Sequence, residues 1–344
     1  MTLSTALILV AVLVLAALAG HGVWSTRRAQ ARQAVVEVAQ PAAERVEPSM
    51  GALPGDATGS AAALVAPSRR AGPRIDALID AIATLALDAP ASGEMLLAHL
   101  PASRRAGSKP FHIEGLGAAS GEWEPLSLGQ RYSELQAGVQ LANRSGALNE
   151  IEYSEFVQKL QAVADAIGAV PDFPDMLDVV ARARELDAFA NPHDATLSVL
   201  LRANSVAWSV GYIQQCAQHQ GFVAGPVAGR LVLPSAEEGA PPVLSLSFDA
   251  QAALADDPAQ AAVRELTLSL DVAQTPAEAE PFTAWQQAIR ALAEDMDASA
   301  VDDQGLPLTV QHFVAIRAEL DKLYHALEAR DMAAGSAAAR RLFQ

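Results

Sequence analysis

The chain has 344 residues and carries 24 Lys and Arg against 40 Asp and Glu, a formal net charge of −16. That balance argues against a nucleic-acid partner, whose phosphates are bound through Lys and Arg, and against a second, adhesive contact with anionic lipid. It serves solubility, or a partner that presents basic and apolar groups. The one cysteine, Cys216, rules out an internal disulfide and agrees with a reducing compartment.

Residues 1–24 contain no Lys, Arg, Asp or Glu, and 3–19 are almost wholly aliphatic. About 20 such residues suffice to cross a bilayer as a helix. Trp24 suits the interface and Arg27, Arg28 and Arg32 follow at once, so the positive-inside rule puts the N-terminus in the periplasm and the rest in the cytoplasm. A cleaved signal peptide is the rival, with Ala17-Leu18-Ala19 as its cleavage site. Signal peptides, however, carry their basic residues before the apolar run, and here these lie after it. We read residues 1–24 as a transmembrane anchor in the cell inner membrane. Residues 25–72 are a basic juxtamembrane segment followed by an Ala, Pro, Gly and Ser linker without periodicity. As a flexible coil, about 40 residues span roughly 35 Å. Up to Lys109 there are 10 basic residues against 8 acidic; the remainder has 14 against 32, so the expected folded part carries the acidity.

Two similar domains are expected next, at 73–190 and 191–331, followed by a tail at 332–344. In the first, strands are predicted at 82–87, 111–115, 123–126 and 135–141, and helices at 92–100, 151–167 and 174–189. In the second, strands fall at 196–201, 222–233, 243–248, 266–272 and 298–301, and helices at 209–219, around 282–296 and at 310–329. Gly225, Pro226 and Gly229 make the strand at 222–233 bulged or an edge. Strict alternation of Leu266, Leu268, Leu270 and Val272 with Thr267, Ser269 and Asp271 marks a half-buried strand. The helix behind it repeats an earlier one at an offset of 129: Trp285 falls on Phe156, Ile289 on Leu160, Leu292 on Val163 and Met296 on Ile167. The strands before these helices repeat at an offset of 131. Strands and helices that share one apolar sheet face imply an α+β fold, an antiparallel sheet with helices packed on one face and the other face open to a partner.

Catalytic motifs are not found. The seven histidines show no metal-ligand spacing, 115–120 lacks the third glycine of a dinucleotide loop, and Asp302-Asp303-Gln304-Gly305 reads as a turn. No catalytic, cofactor-binding or metal-binding residue is assigned, no cofactor is expected, and the protein is read as a non-enzyme.

The segment His21–Arg28 after the anchor resembles the membrane exit of ZipA, a bacterial division protein family. Gln220-Gly221-Phe222-Val223, the strand and helix at 266–296, and Val301-Asp302-Asp303-Gln304 are similar to its C-terminal FtsZ-binding domain. Ser92–Leu97 and Phe156–Ala169 resemble the same module, which makes two tandem ZipA-C-like domains after one transmembrane helix. The resemblance implies a scaffold for septum assembly that holds the FtsZ C-terminal tail in an apolar cleft on the open sheet face. The residues matching that cleft are Thr196, Ser198 and Leu200, Val227, and Thr267, Ser269 and Asp271; the first domain offers Gln136, Gly138 and Gln140. The family's aromatic falls on Ser269, and losing it costs about tenfold to a hundredfold in affinity. Either two linked domains compensate through effective concentration, or the site has moved. A membrane-tethered interaction module with a diverged partner is the alternative.

Overall fold

The computed structural model describes residues 75–255 and 261–344. The expected anchor and linker at 1–72 lie outside the described residues. The fold is α+β, with helices packed on two antiparallel six-stranded sheets.

The first unit runs β1 (Asp80–Ser92), α1 (Gly93–Ala98), β2 (Arg105–Ala106), β3 (Lys109–Gly117), β4 (Trp123–Pro125) and β5 (Arg131–Gln140). A small hairpin follows, β6 (Ala142–Asn143) and β7 (Gly146–Ala147), then α2 (Glu150–Ile167), β8 (Val170–Asp172) and α3 (Met176–Ala190). Its sheet order is β2-β3-β5-β1-β8, with β4 also paired to β3. The second unit runs β9 (Thr196–Ala203), α4 (Val210–His219), β10 (Val223–Ala224), β11 (Arg230–Leu233), β12 (Leu244–Ser247) and α5 (Ala250–Ala253). It continues with β13 (Glu265–Asp271), α6 (Pro281–Met296), β14 (Ala298–Val301) and α7 (Val310–Glu328). Its order is β10-β11-β12-β13-β9-β14. In each sheet the opening strand lies between the strand that enters the long helix and the strand that leaves it. Thus β1 sits between β5 and β8, and β9 between β13 and β14.

The long helices α2 and α6 fill equivalent places. Phe156 has no exposed surface and meets Phe111 edge-on at 5.4 Å. Trp285 is 1% exposed and its indole N–H donates to the Leu268 carbonyl at 3.3 Å. Asn149 starts α2 with a capping box shared with Glu152, which satisfies backbone donors that the first turn leaves free. Both helices stop at a left-handed residue, Gly168 (φ 69°) and, 129 positions later, Asp297 (φ 52°). Glycine takes that conformation freely. Asp297 is held in it by Ser205 Oγ, donating at 2.6 Å, and by Asn204 Nδ2, donating at 3.2 Å.

Two stretches differ from expectation. Residues 222–233 are not one strand: β10 pairs with β11 as a hairpin, Val223 opposite Val232, turning through 225–229. Pro226 has no N–H for a ladder, and Gly229 turns the chain at φ 76°, where a Cβ would stand 2.7 Å from the Phe248 carbonyl. The segment 332–344, expected as a tail, is folded back onto the first unit. It forms α8 (Ala337–Leu342), capped by Ser336 Oγ, which accepts from the Ala339 N–H at 3.1 Å. Met332, Ala339, Leu342 and Phe343 are buried in the cluster that contains Phe111, Phe156 and Val139. Arg341 grips Asp80 with two hydrogen bonds of 2.6 and 2.9 Å, and Gln274 Nε2 donates to the Phe343 carbonyl at 2.6 Å. Among the described residues no helix is long and apolar enough to cross a membrane.

Candidate partner-binding face

Period-two alternation on β13 turns Leu266, Leu268 and Leu270 inward, each with no exposed surface, against Trp285, Leu292 and Ile213. The same alternation turns Thr267, Ser269 and Asp271 to the other face. Register then brings hydroxyls together: Ser198 and Ser245 both lie opposite Ser269, and Thr267 lies opposite Ser247 and Leu200. The Ser198 and Ser269 hydroxyls are 3.0 Å apart. Arg230, opposite Ser247 on β11, reaches along the face and donates from Nη2 to Ser245 Oγ at 2.8 Å. A shallow groove of about 380 Å³ runs over Ser245, Ser247 and Ser269 toward Pro241 and Pro242.

One end of this groove is made by the first unit. Arg144 sits in the two-residue turn between β6 and β7. Its guanidinium donates to both oxygens of Asp194 (2.9 Å to Oδ2 and 2.6 Å to Oδ1) and from Nη2 to Asp271 Oδ2 at 2.8 Å. The hydrogen bonds that Arg144 donates to Asp194 raise its pKa most; burial opposes them, the bond to Asp271 adds to them, and Arg144 stays cationic. Burial pushes the Asp271 carboxyl up, against the opposing pull of Arg144. Asp271 Oδ1 is buried and finds no hydrogen-bond partner among the described residues.

The structure therefore gathers Thr196, Ser198, Leu200, Thr267, Ser269 and Asp271 on β9 and β13. Two of the expected contacts stand apart from the others. Val227 is not on the face but in the β10–β11 turn, 59% exposed. Asp271 is not a free contact: its carboxylate is tied to Arg144. Arg230, Ser245 and Ser247 belong to the face and went unassigned, although the alternation in Val243–Phe248 carried the two serines. Arg144 had no local signal, because its place depends on how the two units meet.

The matching face of the first sheet is more covered, although a groove of about 390 Å³ opens over Pro110, His112 and Gln140. Gln140 is 2% exposed and donates from Nε2 to the Arg341 carbonyl at 2.7 Å. Gly138 lies under Ile75, whose Cγ2 would stand 2.6 Å from an added Cβ. Gln136 Nε2 donates to Glu114 Oε2 at 3.0 Å. Among the described residues the row of facing serine hydroxyls lies on the second sheet.

Neither sheet invites an added strand. The edge strand β10 has two residues, β8 carries Pro171, and behind β14 the chain returns so that the Leu308 N–H donates to the Ala300 carbonyl at 3.1 Å. Short, proline-bearing or covered edges resist pairing with another chain. Chemically, the open face can exchange hydrogen bonds and meet charge, but it has little apolar surface beyond Leu200 and Pro241–Val243.

Among the described residues no three His, Cys, Asp or Glu side chains are grouped to hold a metal ion. The Asp302–Gly305 stretch is the expected turn: Asp302 Oδ1 accepts from the N–H groups of Gln304 and Leu306 at 3.0 and 2.7 Å. Gly115–Gly117 belongs to β3 and runs into a turn rather than a phosphate-binding helix. No family model matches this sequence, and no curated protein matches it.

Proposed function

We propose that the protein is an inner-membrane-anchored scaffold with tandem ZipA-like modules that binds FtsZ or another division protein and helps assemble the septum. The observation that carries this reading is the repeated strand order, together with the exposed hydroxyl face of the second unit. That face is where the ZipA resemblance expects the FtsZ tail to lie. In this reading the first unit, whose Gln140 and Gly138 are covered, supports the second.

A fluorescent fusion of the full chain is expected at midcell during division, and the purified chain is expected to bind an FtsZ tail peptide. Ser269→Trp is expected to strengthen binding about tenfold by restoring apolar grip on the face. Uniform membrane fluorescence through division, together with no peptide binding by either form, refutes the reading.

A second reading is supported by the Ser198, Ser245, Ser247 and Ser269 hydroxyls, which suit a polar segment better than an apolar tail. In that reading the module has kept its tether and changed its partner, and cross-linking from the face in intact cells would recover a protein other than FtsZ.

A further inference from the structure

The apolar surface missing from the sheet face is present on the opposite side of the second unit. Between α6 and the first half of α7 lies a groove of about 460 Å³. Ile289 (5% exposed), Phe313 and Leu308 form its floor, and Val310 (79% exposed) and Val314 (67% exposed) form a bare apolar rim. Val310 and Val314, four residues apart, stand one above the other on the helix.

The first unit provides an internal comparison. There α3 packs down over its whole length, burying Val179, Val180, Ala183, Leu186 and Ala190. Helix α7 is longer, at 19 residues, yet buries only Leu320 and Leu327, both in its C-terminal half. That half is fixed at the junction, where Leu323 and Tyr324 touch both cores. The N-terminal half touches α6 through Phe313, edge-on to Trp285 at 6.0 Å, and through Arg317, and the groove opens beside that contact.

Charge narrows what fits. The groove lining has two formal charges, Arg290 and Arg317, and no carboxylate, although the chain as a whole is acidic. Arg317 is held over the Phe282 ring at 5.0 Å and donates from Nη2 to Thr283 Oγ1 at 3.3 Å. Neither arginine has a carboxylate partner among the described residues. Backbone chemistry narrows it further. Away from the first turn of α7 the walls are helical backbone already paired within each helix, so an extended segment would find few backbone partners there. A helix satisfies its own backbone and brings only side chains.

We infer that the groove between α6 and α7 docks an amphipathic helix from another protein, with aliphatic or aromatic residues at helical spacing and Asp or Glu flanking them to meet Arg290 and Arg317. Such a helix joins α4, α6 and α7 in the layer over the second sheet, in the helix-in-groove manner. This surface is separate from the hydroxyl face and does not depend on the FtsZ reading.

The test uses the full chain in lipid nanodiscs and two fluorescein-labelled helical peptides of about 18 residues. They share a leucine stripe and differ only in Glu or Lys at the flanks. Fluorescence anisotropy is expected to show the Glu peptide binding at least tenfold more tightly than the Lys peptide. Val314→Asp, at an exposed position that leaves the melting curve unchanged, weakens the Glu peptide at least tenfold. Arg290→Glu with Arg317→Glu inverts the preference. Equal affinity for both peptides, no binding of either, or indifference to Val314→Asp overturns the inference. So does sedimentation that shows a dimer which Val314→Asp makes monomeric, because the occupant is then a second copy of the chain.

Discussion

Replacing Arg341 by Met should destabilise the protein far more than its position three residues from the end of the chain suggests. Its guanidinium is 11% exposed and lies against the Asp80 carboxylate, which has no exposed surface. Once the guanidinium is gone, the donor left to the carboxylate among the described residues is the Asp76 N–H, at 2.8 Å from Asp80 Oδ2. A buried charge stripped of its partner costs about 3–5 kcal/mol, a large share of a typical stability of about 5–15 kcal/mol. Replacing both residues by apolar ones of similar size should recover most of that loss, because no charge is left to desolvate. Urea denaturation of wild type, Arg341→Met, Asp80→Leu and the double variant closes a thermodynamic cycle. The expected coupling is at least about 2 kcal/mol. A loss under about 1 kcal/mol for Arg341→Met, or additivity within about 0.5 kcal/mol, would refute the assignment of this pair as the clasp between 332–344 and the first sheet.

Three further outcomes follow from the same coordinates. Trp285→Ala and Phe156→Ala, at matched places in the two units, should each cost about 3–5 kcal/mol by calorimetry, because each opens a cavity behind its sheet. Gly168→Ala meets no atom within 4 Å at its new Cβ, so its cost should be the left-handed backbone alone, about 1–2 kcal/mol in denaturant titration. His112 has its pKa lowered from 6.5 by burial first and by Arg341 second. The unfolded chain therefore binds the proton more readily, and this contribution to stability is complete above the unfolded value and lost as pH falls from it toward the folded one. Urea midpoints should fall between about pH 7.5 and about pH 5, and fall less in His112→Gln.

The elements readable from the sequence were those with enough residues to show a period. The alternation in β13 and the matched apolar positions of α2 and α6 placed both sheets, and with them Thr267 and Ser269 on a common face. What escaped was decided by contacts between distant parts of the chain. Nothing near Arg144 marks Asp271 as its partner, because an Asn-Arg-Ser-Gly turn says that the chain reverses and not what it touches. Residues 332–344 are rich in alanine and form a helix of six residues, too short for a periodic stripe, yet Leu342 and Phe343 are buried as deeply as any core side chain. At 222–233 the Gly and Pro fit a bulge and a turn equally well, and the pairing of Val223 with Val232 decides for the hairpin.

The return of Arg341 to Asp80 sets a timetable for the growing chain. The two residues are separated by 261 positions, which at 5–20 residues per second is roughly 13–50 s of translation. Throughout that interval the first sheet emerges from the ribosome with an uncompensated acid at its end and an unsealed patch where Leu342 and Phe343 will settle. The first module is thus made before the second and finished after it, and its exposure to chaperones and proteases lasts until residues 332–344 have been made.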